Sequence, residues 1–291
     1  MTEVLRSFLF TPGNHARRVE KVFDAGADAA ILDLEDAVAA AEKAATRPLI
    51  VQALQRPRRC KGYVRVNATD TEFCYQDLVS VVGAGLDGII LPKVESAAAL
   101  QGIDWLLHQL ERAAGLPPGE IDLIPIIETA RGLCAANEIA QAGTRVKRLA
   151  FGAGDFTFDL NIVWSRDEIE LLHARSTLVA ASRAAGLQAP LDSVWIALDD
   201  EAGLQASSQA VQRMGFQGKM CIHPKQLAVV NAAFTPSEQE VAFARKVVAA
   251  FEAAESSGNA ALQVEGRFID YPIVYRAQRT LSSYAAATAK R

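Results

Sequence analysis

Two segments of this chain each end an apolar run on a carboxylate. Leu123-Ile124-Pro125-Ile126-Ile127 ends on Glu128, and Arg148-Leu149-Ala150-Phe151 leads through Gly152 and Gly154 to Asp155. One acid at the end of a buried strand is common. Two acids on successive strand ends offer oxygen ligands to a hard divalent cation. Mg2+ suits such a pair, because it keeps several waters and takes only one or two protein carboxylates. Each acid could equally cap the helix it precedes, and the residues alone leave both readings open. Gly152 and Gly154 would let backbone amides approach a bound carboxylate or oxyanion, although a tight turn would use them too.

Other chemistry-bearing residues sit at comparable positions. Asp33, Glu35 and Asp36 form an acidic cluster able to orient metal-bound water, or to line a solvated loop. Arg65 lies among apolar strand residues, where an unpaired guanidinium would be costly. It could offer a two-pronged fork to a substrate carboxylate, or pair with one of the acids. His223 precedes Pro224 and reads as a helix cap, while His15, His108 and His173 show no metal-ligand spacing. Cys60, Cys74, Cys134 and Cys221 are scattered, which predicts reduced thiols, with Cys134 a buried one.

The elements that must position these groups are short apolar runs alternating with longer amphipathic stretches. Strands are predicted at Ser7–Phe10, Ala29–Leu34, Tyr63–Asn67, Gly88–Leu91, Leu123–Ile127, Arg148–Gly152, Ser193–Ala197 and Lys219–Ile222. Helical stretches fall between them, including Thr129–Ala142 and Asp167–Ala185. Parallel strands need crossover helices, so this order predicts an α/β fold, a modified (β/α)8 TIM barrel over residues 1–233. In such a barrel the active face is built at the C-terminal ends of the strands, where Asp33, Glu35, Asp36, Arg65, Glu128, Asp155 and His223 would lie. Residues 234–291 are expected to form a C-terminal helical extension or lid. There Ser237 and Glu240 open a helix reaching about Glu255, Ser256-Ser257-Gly258-Asn259 breaks it, Ala261–Glu265 is extended, and Pro272 sits near the start of a last helix.

Half of the 291 residues are hydrophobic and 22% are charged, ordinary for a protein with a substantial core. The net charge of −4 carries no basic footprint for nucleic acid or an anionic membrane. No run approaches the roughly 18 apolar residues of a membrane span, and the first ten residues lack a leader pattern. The expectation is a cytoplasmic protein.

Taken together, Phe8-Leu9-Phe10-Thr11-Pro12-Gly13-Asn14, Ile31-Leu32-Asp33-Leu34-Glu35-Asp36, Arg65-Val66-Asn67, Leu91-Pro92-Lys93-Val94-Glu95, Ile127-Glu128-Thr129-Ala130-Arg131-Gly132 and Ile222-His223-Pro224-Lys225-Gln226 form an ordered set. The set resembles the citrate lyase β-subunit-like (CitE-like) branch of the HpcH/HpaI aldolase family, which includes malyl-CoA and citramalyl-CoA lyases. The resemblance implies a trimeric or hexameric barrel enzyme that cleaves or forms a carbon–carbon bond with Mg2+. It places the metal ligands on Glu128 and Asp155, the substrate-binding arginine on Arg65, and Glu35 and Asp36 near metal-bound waters. In CoA-dependent members a C-terminal Ile-Asp-Xaa-Pro motif supplies an acid/base aspartate to a neighbouring subunit. Phe268-Ile269-Asp270-Tyr271-Pro272 matches it, so Asp270 is the expected acid/base.

There are departures. Gly154 stands where citrate lyase-like members often carry Glu, which makes it a candidate substrate-binding position, and Trp164 replaces a glycine-containing continuation and would reshape the acyl pocket. The expected reaction is cleavage of a 3-hydroxyacyl-CoA thioester into acetyl-CoA and a small 2-oxo acid, or the reverse. The alternatives are a malyl-CoA thioesterase, and a citrate lyase β subunit acting on an acyl-carrier partner.

Overall fold

The computed structural model describes residues 4–256 and 261–288. These fall into two compact units, residues 5–231 and residues 232–288 with Val4.

In the first unit eight parallel strands close into a barrel in chain order. They are β1 (Ser7–Pro12), β2 (Ala29–Asp33), β3 (Lys61–Arg65), β4 (Gly88–Leu91), β5 (Asp122–Ile127), β6 (Ala150–Phe151), β7 (Leu191–Asp192) and β8 (Gly218–Cys221). The crossovers are carried by α1 (Ala16–Val22), α2 (Lys43–Leu54), α3 (Cys74–Val81), α4 (Ala97–Ala113), α5 (Ala130–Cys134), α6 (Ala136–Ala140), α7 (Ala153–Asp159), α8 (Leu172–Ala184) and α9 (Glu201–Met214). Local chemistry starts these helices where the sequence allows it. The Ser96 hydroxyl accepts from Ala99 N at 3.2 Å to open α4, a cap worth about 1 kcal/mol. One apolar cluster draws Phe8, Ile31, Tyr63, Ile90, Ile126, Leu191 and Met220 from strands all round the barrel. Phe8 and Tyr63 meet edge to face with ring centroids 5.3 Å apart, an arrangement their quadrupoles favour.

Two expectations need correction. The seventh strand is Leu191–Asp192 and not Ser193–Ala197. Leu191 pairs with Ala150 and Gly218, and Asp192 pairs with Lys219. The apolar run Val194-Trp195-Ile196 imitates a strand, whereas the true strand carries a fully buried charge. The predicted helix Thr129–Ala142 is two short helices that meet at Ala135.

α10 (Leu227–Ala233) ends the first unit, and the chain enters the second at Ala232. α11 (Glu238–Glu255) begins with a capping box in which Ser237 and Glu240 satisfy each other's backbone amides. A hairpin of β9 (Leu262–Val264) and β10 (Arg267–Ile269) follows. Its two-residue loop, Glu265-Gly266, has φ of +49° and +78°, the signature of a turn that matches strand twist. α12 (Tyr271–Thr288) completes the unit, and Ala244, Val247, Phe251, Ile269, Val274 and Ala277 form its core. Of the expected breaker, residues 257–259 lie outside the described residues. No helix among the described residues is long and apolar enough to cross a membrane.

Candidate active site

The ends of β2 to β6 hold the predicted residues. Asp33 and Arg65 are register partners at the ends of β2 and β3. Arg65 donates from Nε to Asp33 Oδ1 at 2.8 Å and from Nη2 to Asp33 Oδ2 at 2.6 Å. Asp33 also accepts the amides of Glu35 and Ala37. Asp33 is therefore spent on aiming Arg65 and shaping its own loop, and is not free to orient water. The other edge of the guanidinium lies 2.8 Å from Glu35 Oε2 and donates to Asp36 Oδ2 at 3.4 Å. The Phe10 ring packs against it, 4.8 Å from centroid to guanidinium carbon. Burial works against the charge of Arg65, but Asp33, with Glu35 and Asp36, outweighs it and raises its pKa.

Glu128 stands one residue beyond β5 and is 3% exposed. It does not cap the following helix. Thr129 does that, its hydroxyl accepting from Gly132 N at 3.0 Å. Glu128 Oε1 instead accepts the Lys93 amide at 2.8 Å, across from β4. Only glycine fits at position 152 beside it. A Cβ there would come 2.7 Å from Glu128 Cβ and closer still to Oε2. Burial, then the negative charges of Asp155 and Glu35, push the Glu128 carboxyl up to about 8. Asp155 occupies the first turn of α7, which has no side-chain cap. Its carboxylate is about one-third exposed and lies 3.4 Å from Lys93 Nζ. Gly154 is exposed, and a Cβ there would meet nothing within 4 Å, so it borders open space.

Glu35 is buried, and burial raises its pKa despite Arg65 and Lys93. Asp36 is 58% exposed. Lys93 joins the whole set. Its ammonium is 2.6 Å from Glu35 Oε1 and 4.0 Å from Asp36 Oδ1, besides its contact with Asp155. Burial would lower its pKa, but Glu35, then Glu128 and Asp155, raise it. In the sequence Lys93 stands out only as part of the Leu91-Pro92-Lys93-Val94-Glu95 motif at the end of β4, which gives it no role of its own.

The donors are hard oxygens crowded by like charge, which a divalent cation would relieve, so Glu128 and Asp155 fit such an ion. Among the described residues no group of three or more His, Cys, Asp or Glu side chains is arranged to hold a metal. A two-carboxylate site would leave its remaining positions to water and substrate.

Asp270 belongs to the C-terminal unit. It sits between β10 and α12, where its carbonyl accepts from Val274 N and its carboxylate weakly from Ile273 N at 3.4 Å. His223 is the cap that its position predicted, Nδ1 accepting from Lys225 N at 3.1 Å. Cys134 is exposed, against expectation, because it ends a one-turn helix on the surface. Trp164 donates to Glu168 Oε1 at 3.4 Å.

A family model for HpcH/HpaI aldolase/citrate lyase matches residues 6–224. The citrate lyase subunit beta of Leuconostoc mesenteroides subsp. cremoris is 39% identical over 95% of this chain and 92% of its own length. A (3S)-malyl-CoA thioesterase of Cereibacter sphaeroides is 37% identical over 98% of this chain and 96% of its own. Among solved structures, CitE of Mycobacterium tuberculosis in complex with magnesium, acetoacetate and coenzyme A superposes with a TM-score of 0.80. It is 33% identical, covering 97% of this chain and 98% of that one. The chain belongs to the HpcH/HpaI aldolase/citrate lyase family, a family of carbon–carbon lyases.

Proposed function

We propose that this chain is a Mg2+-dependent lyase that splits a 3-hydroxyacyl-CoA, such as malyl-CoA or citramalyl-CoA, into acetyl-CoA and a 2-oxo acid, or joins them. The observation that carries this reading is Glu128. It is a carboxylate buried at a barrel strand end and left out of the adjacent helix cap, with Asp155 and Glu35 as like-charged neighbours. Glu128 and Asp155 would hold the cation, which when bound supplies Lewis-acid stabilisation of the substrate's hydroxyl oxygen as it becomes a carbonyl.

The chain's own groups do the rest. Asp33 holds the Nε/Nη2 edge of Arg65 with two hydrogen bonds, and the Nη1 edge faces Glu35 at 2.8 Å and the half-exposed Asp36 at 3.4 Å. A substrate carboxylate would displace the long Asp36 contact, and Arg65 would hold that charge while the carbon–carbon bond breaks. Gly154 leaves room for the acid beside Asp155. The hydroxyl proton passes to water at the mouth and the O–H electrons form the new carbonyl; the electrons of the broken carbon–carbon bond move to the thioester α-carbon, and Asp270 of a second copy delivers a proton there. In the reverse direction Asp270 removes a proton from acetyl-CoA.

Apolar exposure supports a partner at the mouth. Phe158 and Val163 after β6, and Ile196 after β7, are 87%, 84% and 60% exposed, while Phe268 beside Asp270 is 68% exposed. Together with the family resemblance these faces favour a homotrimer or hexamer whose C-terminal units act as lids.

The test is a panel of acyl-CoA esters assayed with Mg2+ and with EDTA, with both acetyl-CoA and free CoA measured. Acetyl-CoA plus oxo acid, abolished by EDTA, is the expected result. Turnover that survives both EDTA and Asp270→Ala overturns the scheme. The malyl-CoA thioesterase relative favours a second reading, in which free CoA appears without acetyl-CoA. The citrate lyase relative favours a third, in which the chain is inert until an acyl-carrier partner is added.

A further inference from the structure

The carboxylates of the barrel mouth already face a cation of the chain's own. Lys93 has φ of +50°, a left-handed backbone that is strained for a non-glycine residue and persists where surrounding contacts enforce it. Those contacts are specific. The amide of Lys93 clamps Glu128 Oε1 at 2.8 Å, while its ammonium reaches Glu35, Asp155 and Asp36 at 2.6, 3.4 and 4.0 Å. One residue thus touches both proposed metal ligands, the first through its backbone and the second through its charge. The side chain is one-third exposed, and its short contact is with Glu35 and not with Asp155. An ammonium on a four-carbon stem can keep the first partner while giving up the second.

We infer that Lys93 is a positioning residue that serves as a resident counter-ion. Its amide fixes Glu128, and its ammonium balances Asp155 and Glu35 until a divalent ion arrives, then withdraws toward Glu35. The inference rests on Glu128 and Asp155 being the metal ligands. It carries a consequence of definite sign. A positive charge kept beside the ion repels it, so the preformed site gives up some metal affinity. A lysine with a merely structural role would lower stability when removed and would not tighten metal binding.

The test is calorimetric titration of Mg2+ into the wild-type chain, Lys93→Met, Lys93→Arg and Glu128→Gln, all at the same pH. Methionine is unbranched at Cβ like lysine, so it carries a similar backbone cost and keeps the amide clamp. Lys93→Met is expected to bind Mg2+ about tenfold more tightly than wild type, and to show a larger rise in Tm on adding Mg2+. Lys93→Arg keeps the wild-type affinity. Lys93→Gln provides the same comparison if Lys93→Met does not fold. Unchanged or weaker Mg2+ binding in the neutral variant, with Lys93→Arg normal, overturns the inference. Mg2+ binding undiminished in Glu128→Gln overturns the ligand assignment itself, and the inference with it.

Discussion

The barrel carries two buried charge networks that differ in their balance. Behind β7 and β8, Asp192 and Glu168 meet Arg175 and Lys219, two acids against two bases. Arg175 donates to both oxygens of Asp192, Lys219 Nζ donates to Asp192 Oδ2, and Ser207 donates to Glu168 Oε2 at 2.7 Å. At the mouth, Asp33, Glu35, Asp36, Glu128 and Asp155 meet Arg65 and Lys93, five acids against two bases. Burial works to raise the pKa of Asp192 in the one and of Glu128 in the other. In the first network Lys219 and Arg175 outweigh it and Asp192 is lowered. In the second Glu128 is pushed up to about 8. A balanced buried network is spent on the fold. One with excess negative charge keeps an unmet demand for a cation, and this difference sets the structural network apart from the proposed metal site.

Breaking each network should therefore do opposite things. Glu128→Gln is expected to lower lyase turnover on the order of a thousandfold or more, while leaving Tm equal or raised, because it removes a buried, poorly paired acid. Asp192→Asn should do the reverse. It leaves Arg175 and Lys219 buried against too little charge, and should cost about 3–5 kcal/mol in urea unfolding. If Glu128→Gln unfolds the protein while Asp192→Asn is tolerated, the contrast is backwards. Arg65→Lys sharpens the comparison within the mouth. Lysine cannot span both Asp33 oxygens, so kcat/KM should fall on the order of a hundredfold.

The pH response gives a smaller effect whose sign is fixed. The Glu128 pKa rises from an ordinary 4.5 unfolded to about 8 folded, so the folded state holds the proton more tightly. Its contribution to metal-free stability is full below pH 4.5 and declines as pH rises through 8, by at most on the order of 1 kcal/mol per pH unit. Thermal melts in EDTA across that window should show the decline, and Mg2+ should largely remove it. Least of all, Asp36→Asn should change KM by only a few-fold, since Asp36 is exposed and its contact with Arg65 is long.

Much of this was legible in the residues. The run ending at Glu128 predicts β5 to within one residue, because a buried parallel strand reads as a continuous apolar stretch. The acids and Arg65 were visible as polar residues at strand ends. Their partners were not. Nothing local says that Thr129, and not Glu128, caps α5, or that Asp33 takes one edge of Arg65 while Glu35 lies between Arg65 and Lys93. The left-handed backbone of Lys93 arises from contacts across β2, β4 and β5, which no window around position 93 contains. β7 was misplaced for the same reason. Asp192 is acceptable inside a strand only because Arg175 and Lys219, distant in sequence, neutralise it.

The most direct measurement of the central claim is Mg2+ binding by the wild-type chain, Glu128→Gln and Asp155→Asn, with circular dichroism showing each variant folded. One Mg2+ per chain in the wild type, with binding lost in both variants, is the predicted result. Wild-type Mg2+ binding by both folded variants would contradict the assignment of the barrel mouth as the metal-dependent lyase site.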